Sequence, residues 1–276
     1  LGEALEGRDD DEDPAALCDH FLRGDLGTRA LPYLTAALDQ LEAAHASEAT
    51  IALAQRALAT AGLIEGAERV ALLQRLAARL DLVGRWEAEE AVLLEARDLA
   101  DAAGDAAVRC SVRRRLGLVY RSMDRYDDGL AVLAEAIELA RETKDRRVFA
   151  HVTGIRGDVL RRADRYDEAR QHFERHLEIA KEIGDRRGEM MASGAIGNVL
   201  AVTGNREEGG NWSRRYYEIA RELGDERAQA IAAGNIGVDA LHLGRFDEAR
   251  TSLERSRTLS RQLGYRMGEA RAPDNV

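Results

Sequence analysis

The sequence is poor in residues that interrupt helices. It contains three prolines in 276 residues, and none lies between Tyr33 and Ala272. Because proline breaks or ends helices, this scarcity fits helices that continue through most of the chain. Strand signals are missing as well, since there is no sustained alternation of apolar and polar residues and no Asn-Gly turn between β-branched runs. We therefore predict an all-α fold.

Aromatic residues and cysteines are also scarce. Aromatic side chains make up 5% of the chain, which argues against an aromatic-lined nucleotide or sugar pocket and leaves Ala and Leu to fill the core. The two cysteines, Cys18 and Cys110, are far apart in sequence, so we expect a reducing compartment and no disulfide framework. We find no signal-peptide pattern and no apolar run of about 18 residues. The chain is therefore predicted to be cytoplasmic, with no membrane partner.

The charge of the chain is acidic overall. The formal net charge is -10 and the sequence pI is about 5.3, which makes nucleic acid an unexpected partner because phosphate binding needs concentrated positive charge. Lys144 and Lys181 are the only lysines, so nearly all basic residues are Arg. A GC-rich genome explains this bias. The alternative is that arginine was selected for forked recognition of carboxylates or phosphates.

Motifs for catalysis, cofactors and metals are missing from the sequence. There is no Gly-Lys-Ser/Thr phosphate loop and no G-x-S-x-G nucleophile motif. His172 and His176 lie four residues apart on one helix face, but no third metal ligand accompanies them. We therefore expect no catalytic residue, no cofactor and no metal, and we expect His176 to pack between helices.

A 40-residue period organises the chain. Five dipeptides keep this interval: Gly104-Asp105, Lys144-Asp145, Gly184-Asp185, Gly224-Asp225 and Gly264-Tyr265. A second series does the same: Gly117, Gly157, Gly197 and Gly237. The Gly of these dipeptides is predicted to end a helix in the left-handed conformation, and the Asp, where present, to cap the next helix. Such a period indicates stacked helical repeats, which bind partners along a concave face, and makes enzyme activity unexpected.

Each repeat is predicted to hold two helices. The first is exemplified by residues 186–202, and the second opens with an aromatic residue and an acid: Trp86-Glu87, Tyr126-Asp127, Tyr166-Asp167 and Phe246-Asp247. A glycine inside a helix costs about 1 kcal/mol relative to Ala, so the second glycine series predicts close approach of a neighbouring helix. Gly209-Gly210 predicts that the 206–222 helix is the least stable, or packs unusually around Trp212. His176 and Tyr216 occupy a position that is usually small.

The repeats divide the chain into three predicted regions. Residues 1–13 form an acidic linker, residues 14–65 an irregular helical junction or capping repeats, and residues 66–276 a repeat array truncated within its last repeat. Asp13 and Pro14 are predicted to cap and open the first helix. We expect the chain to be a piece of a larger cytoplasmic protein.

These patterns resemble the tetratricopeptide repeat, a helix–turn–helix of about 34 residues. The matching residues are Leu116-Gly117…Tyr120…Leu133…Ala136, Gly157…Leu160…Ala169…Phe173 and Gly237…Ala249…Leu253. The 40-residue variety is similar to the arrays of bacterial maltose-regulator-like proteins, kinesin light chains and the Leu-Gly-Asn spindle-orientation adaptors. The resemblance implies an α-solenoid of antiparallel helix pairs, a right-handed superhelix of about six pairs. Residues 15–61 look like the junction that follows the ATPase module of large bacterial signalling ATPases, which implies the C-terminal arm of such a protein.

The repeat register predicts a groove lined by the first helix of each pair. The candidate partner-binding residues are Arg114, Leu118, Arg121, Asp158, Arg161, Arg162, Asn198, Asn235, Val238, Leu241 and His242. Gly154, Gly194 and Gly234 are predicted to line the same groove. It would run from an Arg-rich to an apolar end, which favours a peptide or protein partner that is acidic at one end and hydrophobic at the other.

Other interpretations of this groove stay open at the sequence level. The arginines could pair with neighbouring acids, and the apolar end could be covered by further repeats. A small-molecule sensor arm that controls an attached ATPase or transcription regulator is an alternative function, and self-association is another.

Overall fold

The computed structural model describes residues 13–24 and 26–264. These residues form thirteen α-helices and, within that part of the chain, no strand, so the all-α prediction is confirmed. Most of the predicted acidic linker and the predicted truncated last repeat lie outside the described residues. The chain divides into two compact units, Leu1–Arg125 and Tyr126–Val276.

The helices of the N-terminal unit are α1 Pro14–Arg23, α2 Gly27–Ala43, α3 Ser47–Ala59, α4 Gly66–Leu82, α5 Trp86–Ala103 and α6 Ala106–Ser122. Those of the C-terminal unit are α7 Tyr126–Glu142, α8 Arg146–Arg162, α9 Tyr166–Glu182, α10 Arg186–Val202, α11 Arg206–Glu222, α12 Glu226–His242 and α13 Phe246–Gln262. Short turns between successive helices make neighbours antiparallel. In the C-terminal unit, α8, α10 and α12 are the first helices of their pairs, and α9, α11 and α13 are the second.

The regular turns of the C-terminal unit explain the 40-residue period. Every helix there has 17 residues and every turn has three, so two helices and two turns make one repeat. The middle residue of each turn is left-handed: Lys144, Asp164, Gly184, Gly204, Gly224 and Gly244. The residue after it bonds back into the helix, as when Asp185 N–H donates to the Ala180 carbonyl at 2.8 Å, which satisfies the helix end. A left-handed residue thus occurs twice in each repeat. The sequence predicted only the one that follows the second helix, where glycine is more frequent.

Aspartates cap the first helices as predicted. Asp145 Oδ1 accepts hydrogen bonds from the N–H groups of Arg147 and Val148 at 2.9 and 3.0 Å. Asp185 and Asp225 also cap their helices through side-chain oxygens. These bonds satisfy N–H groups that have no partner inside the helix.

The N-terminal unit is less periodic. Its first helix begins as predicted, since Pro14 is the first helical residue and Asp13 Oδ1 accepts from Ala15 N–H at 3.0 Å. Helix α1 has 10 residues and α3 has 13, which breaks the spacing seen later. The core is built from aliphatic side chains around Phe21, including Leu17, Leu38, Ile51 and Leu76.

The second glycine series marks close helix contacts in the C-terminal unit. A Cβ added to Gly157 would lie 2.7 Å from Phe173 Cε1, and one added to Gly237 would lie 2.7 Å from Leu253 Cγ. Both contacts join a first helix to the second helix of its pair. The predicted close approach is confirmed at these positions.

Helix α11 packs backbone against backbone on α10. A Cβ on Gly209 would lie 3.0 Å from the Gly197 carbonyl oxygen and 3.2 Å from Ala201 N. Trp212 Cβ is 3.3 Å from where a Cβ of Gly197 would lie, so it belongs to the same crossing. The buried Ser213 keeps the contact small. Gly209 is therefore a packing residue, and the low stability of this helix stays a prediction.

A second set of glycines corrects the sequence interpretation. A Cβ on Gly154 would lie 2.5 Å from His176 Nδ1, and one on Gly194 would lie 2.9 Å from Tyr216 Cδ1. A Cβ on Gly234 would lie 3.2 Å from Ser256 Oγ. The prediction that these three glycines line the groove is wrong, because their open side is filled by the second helix.

These glycines also explain how the large side chains of His176 and Tyr216 fit at a position that is usually small. Each large side chain at a usually small position is matched by a glycine on the first helix. Burial lowers the pKa of His176 to about 4, so its ring is neutral at pH 7 and acts as a packing group. Within the described residues, no three His, Cys, Asp or Glu side chains come together as metal ligands.

Both cysteines are buried, and neither forms a disulfide. The Cys18 thiol lies 3.7 Å from the Ala30 carbonyl oxygen, and burial raises its pKa to about 11. These thiols are therefore packing groups. Among the helices that the structure describes, none combines the length and the apolar character needed to cross a membrane.

Candidate functional site

The first helices of the C-terminal unit form one surface that contains a pocket. Helices α8, α10 and α12 lie side by side, and the pocket on them has a volume of about 460 Å³. Its walls come from these three helices and the start of α11. The lining residues are Arg161, Asn198, Ala201, Val202, Arg206, Asn235, Val238 and Asp239.

A pair of side-chain amides joins two of the helices in the pocket. Asn235 Nδ2 donates to Asn198 Oδ1 at 3.0 Å. This bond leaves the Nδ2 group of Asn198 as a donor and Oδ1 of Asn235 as an acceptor, neither with another partner among residues 13–24 and 26–264. An adjacent donor and acceptor match the N–H and C=O groups of an extended peptide.

Arg161 is paired within its own helix. Its Nε and Nη2 groups donate to Asp158 Oδ1 at 3.1 and 2.6 Å. Both side chains are about 30% exposed, so water screens the pair and its contribution to stability is small. The pairing of arginines with neighbouring acids, which the sequence left open, therefore applies to Arg161.

Arg206 and Asp239 form a second charge pair in the pocket. Arg206 Nη1 lies 3.3 Å from Asp239 Oδ1, and it connects the first turn of α11 to α12. The Arg206 side chain is 30% exposed, whereas that of Asp239 is 5% exposed. Burial raises the pKa of Asp239, and the neighbouring Arg206 opposes that rise. The four charged groups of the two pairs cancel, so they give the pocket no net charge.

The pocket unites part of the predicted site. Arg161, Asn198, Asn235 and Val238 all line it, and Asp158 adjoins it through Arg161. Three other predicted residues of this unit are exposed and lie outside the lining: Arg162, Leu241 and His242.

The remaining predicted residues lie in the N-terminal unit. Arg114, Leu118 and Arg121 are half-buried on α6. Burial, together with the neighbouring Arg115, lowers the pKa of the Arg114 guanidinium. Their role in binding stays a prediction.

Val202, Arg206 and Asp239 were not predicted from the sequence to lie in the site. Two of them interrupt series that could have revealed them. Arg206 stands where the other second helices carry an aromatic residue: Trp86, Tyr126, Tyr166 and Phe246. Asp239 stands where three other first helices carry a buried valine: Val119, Val159 and Val199.

The N-terminal unit has a cavity of different chemistry. It measures about 500 Å³ and lies between α2 and α4. Its floor is aliphatic, with Leu34, Leu38, Ile64 and Leu72 buried. Arg75, at its edge, is held by Glu42 at 2.7 Å and by Asp39.

Comparison with known proteins identifies similar chains. A family model described as "Tetratricopeptide repeat" matches residues 108–182 and 189–262, which is more than half of the chain. A search of curated proteins found no match.

Three solved structures are similar to the chain. A putative kinesin light chain with nearly identical TPR-like repeats from Podosopora anserina is 12% identical; the match covers 71% of this chain and 96% of that one, with a TM-score of 0.60. A signal transduction ATPase with numerous domains and a tetratricopeptide repeat sensor, from Pyrococcus horikoshii, is 15% identical over 95% of this chain and 43% of that one, with a TM-score of 0.66. NprR in complex with its cognate peptide NprX is 14% identical; the match covers 98% of this chain and 73% of that one, with a TM-score of 0.62. At these identities the likeness establishes the fold alone.

Proposed function

Because the chain belongs to the tetratricopeptide repeat family, we propose that it is a protein-interaction module. Its C-terminal unit binds a peptide, or an extended segment of a protein, in the pocket on α8, α10 and α12. Arrays of this kind present extended concave surfaces to their partners, and the similar structure of NprR contains a bound peptide.

The Asn198–Asn235 pair is the observation that carries this proposal. Its unused donor and acceptor suit a peptide main chain, whose groups are the same for every sequence. Ala201, Val202 and Val238 line the same pocket and offer an apolar surface to a side chain of the partner. We retain an acidic group in the partner, because the Arg206 side chain is 30% exposed at the pocket whereas that of its partner Asp239 is 5% exposed.

The wider setting is part of the same proposal. We assign the chain to a larger bacterial signalling protein, and the tetratricopeptide repeat sensor of the similar Pyrococcus horikoshii ATPase supports such an arrangement. Two buried thiols that form no disulfide fit the reducing cytoplasm. We assign no catalytic step to this chain.

A synthetic heptapeptide library tests peptide binding. The full chain is immobilised, and retained peptides are identified by mass spectrometry. We expect the wild type to enrich a defined set, and the double variant Asn198→Ala with Asn235→Ala to bind that set about 10-fold more weakly, because two hydrogen bonds are lost. Asn211→Ala is the matched control, since Asn211 is exposed on α11 and outside the pocket. Equal binding by the double variant and the wild type would refute this site.

A second candidate function follows from the aliphatic cavity of the N-terminal unit. Its volume lies within the range of small-molecule pockets, roughly 300–1,000 Å³, and its floor suits an apolar ligand. This arrangement supports the small-molecule sensor. A thermal-shift screen tests it, since a ligand of the folded state raises the melting temperature, and Leu72→Ala should abolish the shift produced by any hit.

A further inference from the structure

Arg206 and Asp239 depart from the repeat together. The first replaces an aromatic residue at the start of a second helix, and the second replaces a buried valine of the next first helix. The two departures meet in space, because the side chains form one ion pair at 3.3 Å. The pair is therefore a coordinated change at the wall of the pocket.

Stability alone does not account for this pair. Replacing a buried ion pair by apolar residues of similar volume is often neutral or stabilising, because the charges lose their hydration. At the equivalent positions of three earlier repeats, an aromatic residue precedes a buried valine: Trp86 with Val119, Tyr126 with Val159 and Tyr166 with Val199. A solution without an ion pair therefore exists in the same fold. A role in binding explains why the pair is present at the pocket.

Other ion pairs of the same unit provide a comparison. Arg214 pairs with Glu248, and Arg245 pairs with Glu207, also between successive repeats. In both cases the carboxylate is substantially exposed to water, so these pairs are ordinary surface contacts. Asp239 differs from these two carboxylates because its side chain is 5% exposed.

The exposure of the two groups decides which of them meets a ligand. Both side chains line the pocket, but that of Arg206 is 30% exposed, whereas that of Asp239 is 5% exposed. An arginine has five N–H donors, and the bond to Asp239 is the one hydrogen bond that Arg206 makes within residues 13–24 and 26–264. The remaining donors are available for a planar, forked contact with an anion.

We propose that Arg206 binds a carboxylate of the peptide ligand, and that Asp239 is a positioning residue that holds the guanidinium toward the pocket. This inference rests on the proposed function, since the carboxylate belongs to the peptide held by Asn198 and Asn235. The carboxylate comes from the C-terminus of the peptide or from an Asp or Glu side chain. Arg161 lines the same pocket, but its paired donors already contact Asp158.

Four heptapeptide sub-libraries test the proposal and distinguish the two sources. The peptides end in a carboxylate or an amide, and they contain Asp and Glu or only Asn and Gln in their place. The immobilised wild-type chain should retain one carboxylate-bearing class about 10- to 100-fold better than the library with no carboxylate, as expected for charge-assisted hydrogen bonds. The class that is retained identifies the source.

Variants of the pair assign the preference to Arg206. Arg206→Gln should bring the ratio of carboxylate-bearing peptides to uncharged peptides that are retained down to about one. Arg214→Gln is the matched control, because Arg214 lies on the same helix outside the pocket lining, and it should keep the preference. A wild type without preference, or an Arg206→Gln variant that keeps the wild-type preference, would overturn the inference and leave peptide binding intact. Failure to retain any peptide would overturn both proposals.

To test whether Asp239 positions Arg206, we measure the preference for carboxylates, because a residue that only stabilised the fold would not affect this preference. Asp239→Asn should lower several-fold the ratio of carboxylate-bearing peptides to uncharged peptides that are retained. The double variant Arg206→Tyr with Asp239→Val restores the residues of the other repeats, so it should fold with an equal or higher melting temperature and lose the preference. If Asp239→Asn lowers the melting temperature while the preference is kept, Asp239 has no positioning role.

Discussion

The two units solve the same packing problem in different ways. One position of the repeat, near the start of the second helix, is Glu89 in the N-terminal unit and Gly129, Ala169, Gly209 and Ala249 in the C-terminal unit. Glu89 is 2% exposed; its Oε1 accepts from Arg115 Nε at 2.9 Å, and its Oε2 is buried with no partner among the described residues. Gly209 instead allows two backbones to touch. The repeat therefore determines that this position is buried, but not which chemistry fills it.

The largest effect is expected at Glu89. Burial raises its pKa to about 7; the attraction of Arg115 opposes the rise, and the repulsion of Asp81 adds to it. A raised pKa in the folded state means that the folded chain binds the proton more tightly than the unfolded chain does. The resulting stabilisation is complete below about pH 4.5 and is lost as the pH rises through 7. At about 1.4 kcal/mol for each pKa unit, the loss is on the order of 3 kcal/mol.

Urea unfolding at pH 5 and pH 8 measures this dependence. In a Trp212→Phe background, Trp86 fluorescence reports on the N-terminal unit. Glu89→Gln should reduce the difference in unfolding free energy between the two pH values, because the titrating group is gone. Glu87→Gln removes an exposed acid of the same helix and should leave the difference unchanged. An unaltered difference in Glu89→Gln would contradict the account of this position.

Alanine substitutions at two adjacent glycines of the C-terminal unit are expected to change stability in opposite directions. Gly209→Ala forces a Cβ against backbone atoms of α10 at 3.0–3.2 Å, so it should destabilise by about 1–3 kcal/mol. Gly210→Ala places its Cβ no closer than 3.9 Å to any neighbour, so it should stabilise by up to about 1 kcal/mol through helix propensity. Trp212 fluorescence in a Trp86→Phe background measures both. Destabilisation of equal size by the two variants would show that the helix crossing does not depend on Gly209.

The smallest effect on stability is expected at the amide pair. Asn198→Ala and Asn235→Ala each remove one partner of a solvent-accessible hydrogen bond, so each should change the unfolding free energy by about 0.5 kcal/mol or less. Thermal or urea unfolding checks this. A loss of several kcal/mol would mean that the pair supports the fold, and weaker peptide binding by these variants would then have a structural cause.

Much of the fold could be predicted because residues with a known structural role recur every 40 positions. The Asp caps, the glycine turns and the contacts of Gly157 and Gly237 depend on residues within one repeat. The left-handed Lys144 and Asp164 were less visible, because left-handed residues are recognised most easily as glycines. Half of the pocket could be predicted in the same way, since the register places Asn198 and Val238 on the first helices.

Contacts between helices were harder to infer. The sequence shows that Arg206 and Asp239 each break a series, but it does not show that two residues 33 positions apart meet. Gly154 and Gly194 were assigned to the groove. The sequence did not show that each of them makes room for a large side chain of the neighbouring helix, His176 or Tyr216. Arg161 was expected to face a partner, and its nearest anion is Asp158, one turn earlier on its own helix.

The most direct test of peptide binding observes the two amides themselves. Side-chain NH2 resonances of Asn198 and Asn235 are followed by NMR while the most strongly retained library peptide is added to the full chain. The account predicts that both resonances shift and saturate with the affinity of the peptide, while the resonance of Asn211 stays in place. Saturated binding with no change at Asn198 and Asn235 would contradict the assignment of the pocket.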